Sequence, residues 1–237
     1  MYSFTSNIRF SEVNADKTLT LTSLVNYFQD CTIFHSESLH AGFEFLEPLH
    51  KAWVLSAWQV VIHRLPTFGE SVLVGTWPYH FTTLSGERNF ILKDASGEDL
   101  VTANSIWVFT DTQTGRPARL APEYAGMYPL DPPYPMDYAP RKIALPEQYQ
   151  EEASFSVTKH HLDSNHHVNN AQYIRMAEDY LPDGFQVGEF RADYRKSARL
   201  HDEIHPLVTV TGNDCTVVLA DKDNKPYTTV QFIRKEN

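Results

Sequence analysis

Positions 163–170 read Asp163-Ser-Asn165-His-His167-Val168-Asn169-Asn170 and set a carboxylate, an amide and an imidazole at alternate places. Tyr173, Ile174, Ala177 and Leu181 follow at helical spacing, and Pro182 ends the run. A helix is therefore predicted to begin just after His167. A carboxylate can act as a base, an amide can donate to an oxygen, and an imidazole carries protons near neutral pH. The first N–H groups of a helix lack intrahelical partners and sit at the positive end of its dipole, where a developing oxyanion is stabilised. Water attacking a carbonyl is the chemistry these groups suit together. The same residues also have a plainer use, because Asp163, Asn165 and Asn170 are ordinary turn and capping residues.

Other reactive side chains carry less. His160-His161 and His166-His167 lack a helical His-x-x-x-His spacing with an obvious third ligand, so no metal site is expected. Glu178 falls on the apolar side of the predicted helix, as a buried structural group or a catalytic one. Cys31 belongs to the apolar stripe of an earlier helix and reads as a small core residue. Ser36 and Ser38 match no nucleophile elbow. Arg191, Arg195, Lys196 and Arg199 form the densest cluster of cations.

Two copies of one plan position these groups. Asn14-Ala-Asp16-Lys-Thr18-Leu19 lies over Asp163-Ser-Asn165-His-His167-Val168 without a gap, which puts Leu24 over Tyr173 and Gln29-Asp30 over Glu178-Asp179. A helix over 22–39 shows Leu24, Tyr27, Phe28, Cys31 and Phe34 at spacings of three and four. Alternating strands follow at 53–65, 71–77, 87–93 and 100–110, matched by 186–196, 203–211, 214–220 and 227–234. Each half thus reads as loop, helix and four antiparallel strands, an α+β plan in which a sheet wraps one apolar helix. Residues 117–146 hold eight of the fourteen prolines, which predicts a stiff extended connector with its tyrosines against the surface. The expected division is 1–120, a connector at 121–150, and 151–237.

The 237 residues are 42% apolar and 21% charged, as in a globular protein. A net charge of −10 argues against nucleic acid or anionic membrane as general partners, and no apolar run is long enough to span a bilayer. Two cysteines, Cys31 and Cys215, argue against a disulfide framework. The N-terminal stretch lacks a basic region followed by an apolar one, so a cytoplasmic protein without a secretion signal is expected.

The run Asp163-x-Asn165-x-His167-Val168-Asn169-Asn170-x-x-Tyr173, with Glu178 and Pro182 downstream, resembles the second-half motif of the plant and bacterial acyl-acyl carrier protein thioesterases. The resemblance covers nearly the whole chain and implies a double hotdog fold. It also implies hydrolysis of fatty acyl thioesters on acyl carrier protein, without a cofactor. By position, Asn165 would bond the attacking water or the thioester oxygen, His167 would handle protons, and Asp163 would orient the site or act as base. The backbone N–H groups of Val168 and Asn169 would form the oxyanion hole. Arg191, Arg195, Lys196 and Arg199 would receive the acidic carrier. The first half, with Asn14, Asp16 and Thr18 at the corresponding places, would build the acyl pocket, helped by Gly42-Phe-Glu-Phe-Leu46 and residues 53–58. The chain departs from the plant pattern Tyr-Arg-x-Glu-Cys, for it reads Tyr194-Arg195-Lys196-Ser197-Ala198. Rival readings are an acyl-CoA thioesterase and a non-catalytic acyl-binding protein; on any of these readings the chain is expected to be a monomer or homodimer.

Overall fold

The computed structural model describes residues 1–236, which fall into two compact units. The first comprises Met1–Ser56 with Ile62–Tyr138, the second Ala57–Val61 with Ala139–Asn237. Strands β1 (Tyr2–Asn7), β2 (Lys51–Ile62), β3 (Ser71–Phe81), β4 (Ser85–Asp94) and β5 (Asp99–Asp111) order as β1-β3-β4-β5-β2, and the two-residue β6 (Arg116–Pro117) pairs with β5. This sheet curls around α1 (Leu21–Ser38). Thr20 starts that helix: its hydroxyl accepts the Ser23 N–H at 3.1 Å and so satisfies one of the orphan donors of the first turn. Leu24, Phe28 and Cys31 of α1 are fully buried, and Phe28 meets Phe90 of β4 at 5.0 Å between ring centres. The stripe then differs from the expectation. Phe34 is 49% exposed while His35 is buried, because four residues on from Cys31 the helix face returns to position 35. A short helix, α2 (Phe43–Leu46), and another, α3 (Pro122–Ala125), cover a second cluster of Leu46, Phe109 and Leu120.

In the second unit the two-residue strands β7 (Gln150–Glu151) and β8 (Phe155–Ser156) come first. They are followed by α4 (Asn170–Glu178), β9 (Val187–Tyr194), β10 (Glu203–Thr211), β11 (Asp214–Ala220) and β12 (Pro226–Arg234). The order is β9-β12-β11-β10-β7, with residues 57–61 of β2 paired to β9 and β8 paired to β10. Helix α4 packs on β11 and β12 through Ala171, Tyr173, Ile174 and Ala177. Its core partners include Phe190, Val217, Val230 and Phe232, all without solvent exposure. Each unit is thus a hotdog, an antiparallel sheet wrapped around one helix. In both, a strand ahead of the helix pairs with the second strand after it (β1 with β3, β7 and β8 with β10).

The proline-rich segment stays outside the ladders, apart from β6, and is held by side chains. Against the first unit, Trp77 Nε1 donates to the Pro132 carbonyl at 2.8 Å, and Tyr138 donates to Asn89 Oδ1 at 3.0 Å. The Tyr134 hydroxyl reaches Asp99 at 2.7 Å. Against the second, Gln59 Oε1 accepts the Ala139 N–H at 2.9 Å, and Arg191 donates to the Pro140 carbonyl.

Candidate active site

Residues 162–168 form a tight loop whose geometry is set by one side chain. Asp163 Oδ1 accepts the N–H groups of Asn165 at 2.8 Å and His167 at 3.3 Å. Its own N–H donates to the His167 carbonyl at 2.8 Å, and Leu162 bridges Val168. His166 takes a left-handed conformation, φ 59°, to close the turn. The first unit repeats this bond for bond. Asn14 Oδ1 accepts from Asp16 and Thr18 N–H at 3.0 and 3.1 Å, Asn14 N–H donates to the Thr18 carbonyl, and Lys17 has φ 62°. The left-handed residue and the side-chain oxygen that accepts both N–H groups therefore belong to the fold and are not by themselves marks of catalysis.

What separates the loops is what they leave unused. Thr18 spends its hydroxyl on Asn14 Oδ1 at 3.0 Å. His167, in the equivalent place, is half-buried, and its ring has no protein hydrogen bond among the described residues; the exposed Asn165 amide and Asp163 Oδ2 likewise have none. A carboxylate oxygen, an amide and an imidazole are thus brought onto one loop with free valences.

The oxyanion hole expected at Val168 and Asn169 is not there. Val168 N–H donates to the Ala198 carbonyl and Asn169 N–H to the His161 carbonyl, each at 2.9 Å. Further in, Ala171 N–H is capped by Asn169 Oδ1 at 2.8 Å. A donor already bonded to a carbonyl cannot also receive an oxyanion without losing that bond. The cap is Asn169, not Asn170. The signal lay in the repeat: Leu19 N–H donates to the Pro66 carbonyl just as Val168 does to Ala198, so this strand-like bond is part of the common plan.

Residues 1–128 match the family model of the acyl-ACP thioesterase N-terminal domain, and residues 145–232 that of the C-terminal domain. The chain belongs to the acyl-ACP thioesterase family. A palmitoyl-acyl carrier protein thioesterase of Gossypium hirsutum is 26% identical over 231 residues, covering 90% of this chain and 56% of that protein. The chain spans about half the length of the curated relatives it matches. The fold is that of an acyl-ACP thioesterase from Bacteroides thetaiotaomicron, with TM-score 0.89 and 23% identity over 98% of this chain and 97% of the other. A 12:0-ACP thioesterase from Umbellularia californica gives TM-score 0.86 and 22% identity over 100% and 97%.

The Ser197-Ala198 pair is split between surface and core. Ser197 is exposed, whereas Ala198 is fully buried and gives its N–H to the Tyr173 hydroxyl at 2.7 Å. Tyr173 in turn packs edge-on against Tyr194, whose hydroxyl donates to the Asn170 carbonyl at 3.0 Å. These two rings brace the start of α4 beneath the loop. Glu178, at the far end of the helix, is half-buried, and its carboxyl is pushed up to about 7 by burial and by neighbouring Asp179, against a smaller opposing pull from Arg175.

The four cations expected to receive a carrier are largely engaged within the protein. Arg191 donates to Gln231 at 3.1 Å and to the Pro140 carbonyl. Arg195 pairs with the buried Asp193 at 3.0 Å. Lys196 pairs with Asp221 and lies 4.3 Å from the centre of the Tyr227 ring. Two of the four charges are therefore neutralised, Arg195 by Asp193 and Lys196 by Asp221. Arg199 is exposed and bridges His167 through the backbone. A cleft of about 530 Å³ opens beside α4 between Thr158, His160, His161, Arg175 and Asp179, and none of the three loop residues lines it.

Proposed function

We propose that the protein hydrolyses fatty acyl thioesters borne by acyl carrier protein, and that the 163–168 loop of the second unit is where the reaction occurs. One observation carries this reading: two loops built by the same backbone bonds differ in that only one keeps an imidazole, an amide and a carboxylate oxygen unbonded. Membership of the acyl-ACP thioesterase family supports the reaction class. In the reaction, water adds to the thioester carbonyl and gives a proton to the His167 ring. The charge that develops on the carbonyl oxygen is met by the Asn165 amide, since the neighbouring backbone donors are occupied. Collapse breaks the carbon–sulfur bond, the thiolate takes the proton back from His167, and the free acid and the thiol leave. Asp163 holds the loop through Oδ1 and keeps its second carboxylate oxygen on the same loop as the imidazole.

The test is direct. Purified protein is mixed with acyl carrier protein thioesters of several chain lengths, and with the matching coenzyme A thioesters, at low and high salt. Release of free fatty acid from the carrier-bound set, faster than from coenzyme A and weakened by salt, is the expected result. No release above the buffer rate would leave a non-catalytic acyl binder. Equal, salt-independent rates would move the carrier to coenzyme A.

A further inference from the structure

The cleft of about 530 Å³ beside α4 differs in its lining from the corresponding place in the first unit. In the first unit the one-turn helix Phe10–Glu12 sets Glu12 against α1. There the buried Tyr27 donates its hydroxyl to Glu12 Oε2 at 2.8 Å, and the Arg9 guanidinium pairs with Oε1 at 3.3 Å. A ring fills that place and its charges are matched. At the same offset as the two loops, the second unit has His161 for Glu12, Met176 for Tyr27, Arg175 for Asn26 and His160 for Ser11. The backbone plan is kept, since Thr158 N–H donates to His161 Nδ1 at 3.1 Å as Arg9 N–H does to Glu12 Oε2 at 2.8 Å. Where one unit has an acid, an amide and a phenol, the other has an imidazole, a guanidinium and a thioether.

The groups that line the cleft are donors without a protein acceptor. Arg175 is exposed and makes no hydrogen bond or ion pair among the described residues, not even with Asp179 one turn further on. His161 Nδ1 accepts the Thr158 N–H, and burial, Arg175 and His160 hold the imidazole below its usual range. The ring is therefore neutral with its proton on Nε2. The side-chain amide of Gln172 likewise makes no hydrogen bond among the described residues. A carboxylate is matched by a guanidinium fork alone. The added imidazole and amide donors suit a phosphate, whose free oxygens have more lone pairs to satisfy. The volume leaves room beyond that group, and Asp179 in the same lining offers an acceptor to a hydroxyl carried with it.

We propose that this cleft binds the phosphate group of a small hydroxyl-bearing ligand, held by the Arg175 guanidinium, His161 Nε2 and the Gln172 amide. The His161 carbonyl accepts the Asn169 N–H at 2.9 Å, and the Asn169 side chain caps α4. A ligand held here therefore abuts the frame of the reactive loop and leaves the three loop groups free. Two sources carry this chemistry: the phosphopantetheine arm of a carrier, which rests on the thioesterase reading, and a free phosphate ester, which does not.

The test titrates the full chain by calorimetry, at low salt and neutral pH in a phosphate-free buffer, with two matched pairs: phosphopantetheine against pantetheine, and adenosine monophosphate against adenosine. In at least one pair the phosphorylated member should bind about tenfold more tightly or better. Arg175→Gln should remove that preference and leave the melting temperature close to the parent's, since the side chain makes no hydrogen bond within the fold. His161→Glu keeps an acceptor for the Thr158 N–H, as Glu12 does for Arg9 in the first unit, and should remove the preference too. A preference confined to the first pair assigns the cleft to the carrier's arm; one found with adenosine monophosphate assigns it to a free phosphate ester. Equal affinities within both pairs would overturn the proposal. So would a preference that survives in Arg175→Gln, which would place the phosphate elsewhere. If His161→Glu does not fold, Arg175→Gln decides. Because no thioester is present, failure here says nothing against hydrolysis, and absence of hydrolysis leaves this binding measurable.

Discussion

Asp163 does two things that a substitution can separate. Its Oδ1 shapes the turn by accepting the Asn165 and His167 N–H groups, and its carboxylate adds a charge to the loop. The first unit makes the same turn with Asn14, so Asp163→Asn keeps an acceptor for both N–H groups and removes only the charge. We expect that variant to fold with an unchanged melting temperature and to lose most of its turnover, while Ser197→Ala, at an exposed position with no role in the loop, keeps most of it. Single-turnover hydrolysis of one good acyl thioester checks both, and a dead Ser197→Ala beside an active Asp163→Asn would make the serine the working group. The residues on the loop were legible from their spacing alone. Their geometry was not: an Asx turn and a catalytic carboxylate share the same letters, and only the bonds tell that Asp163 is the first and leaves one oxygen for the second.

Helix α4 shows how an element differs from its repeat for a physical reason. Tyr173 stands where the first unit has Leu24, and Ala198 stands where it has Pro66. Proline has no N–H, so Leu24 need offer nothing; Ala198 has one, and the Tyr173 hydroxyl accepts it in a buried setting. Tyr173→Phe should therefore destabilise the protein by about 1–3 kcal/mol in denaturant titration, the usual cost of an orphaned buried donor. The far end of the helix gives a pH effect. With its folded pKa raised to about 7 by burial, Glu178 costs nothing below about 4.5, costs progressively more as the pH rises towards 7, and costs at most about 3 kcal/mol above it. Glu178→Gln should accordingly be more stable than the parent at pH 8 and level with it near pH 4.5; a gap that widens on acidification would contradict the burial argument. Helices and long strands were legible because their periodicity is strong: β10 and β11 start and stop where alternation does. Strands β7 and β8 have two residues each and no period to show, and β1 has a weak alternation that gains its meaning only from pairing with β3. The Phe34–His35 exchange on α1 has the same lesson, since apolar character favoured one residue and helix angle the other.

At the scale of the whole molecule, the proposed function asks how an acidic chain would meet an acidic carrier. With −10 overall and with Arg195 and Lys196 paired internally, the exposed cation beside the reactive loop is Arg199. Arg199→Glu should raise the Michaelis constant for carrier-bound substrate, most at low salt, and leave a small pantetheine thioester unaffected. Reversal of Lys196 should instead show in stability, through Asp221. The repeat of two hotdogs was readable because the offset between the halves is constant from residue 14 to residue 30. The internal neutralisation of the basic cluster was not, because Asp221 lies a full hairpin away in sequence. The central claim is that the loop of the second unit performs thioester hydrolysis, and it is tested most directly by comparing single-turnover release of fatty acid from one acyl carrier protein thioester by the parent protein and by His167→Ala. The ring has no hydrogen-bond partner among the described residues, so the variant should fold normally and react about 10²–10⁴-fold more slowly; a variant within a few-fold of the parent would contradict the assignment.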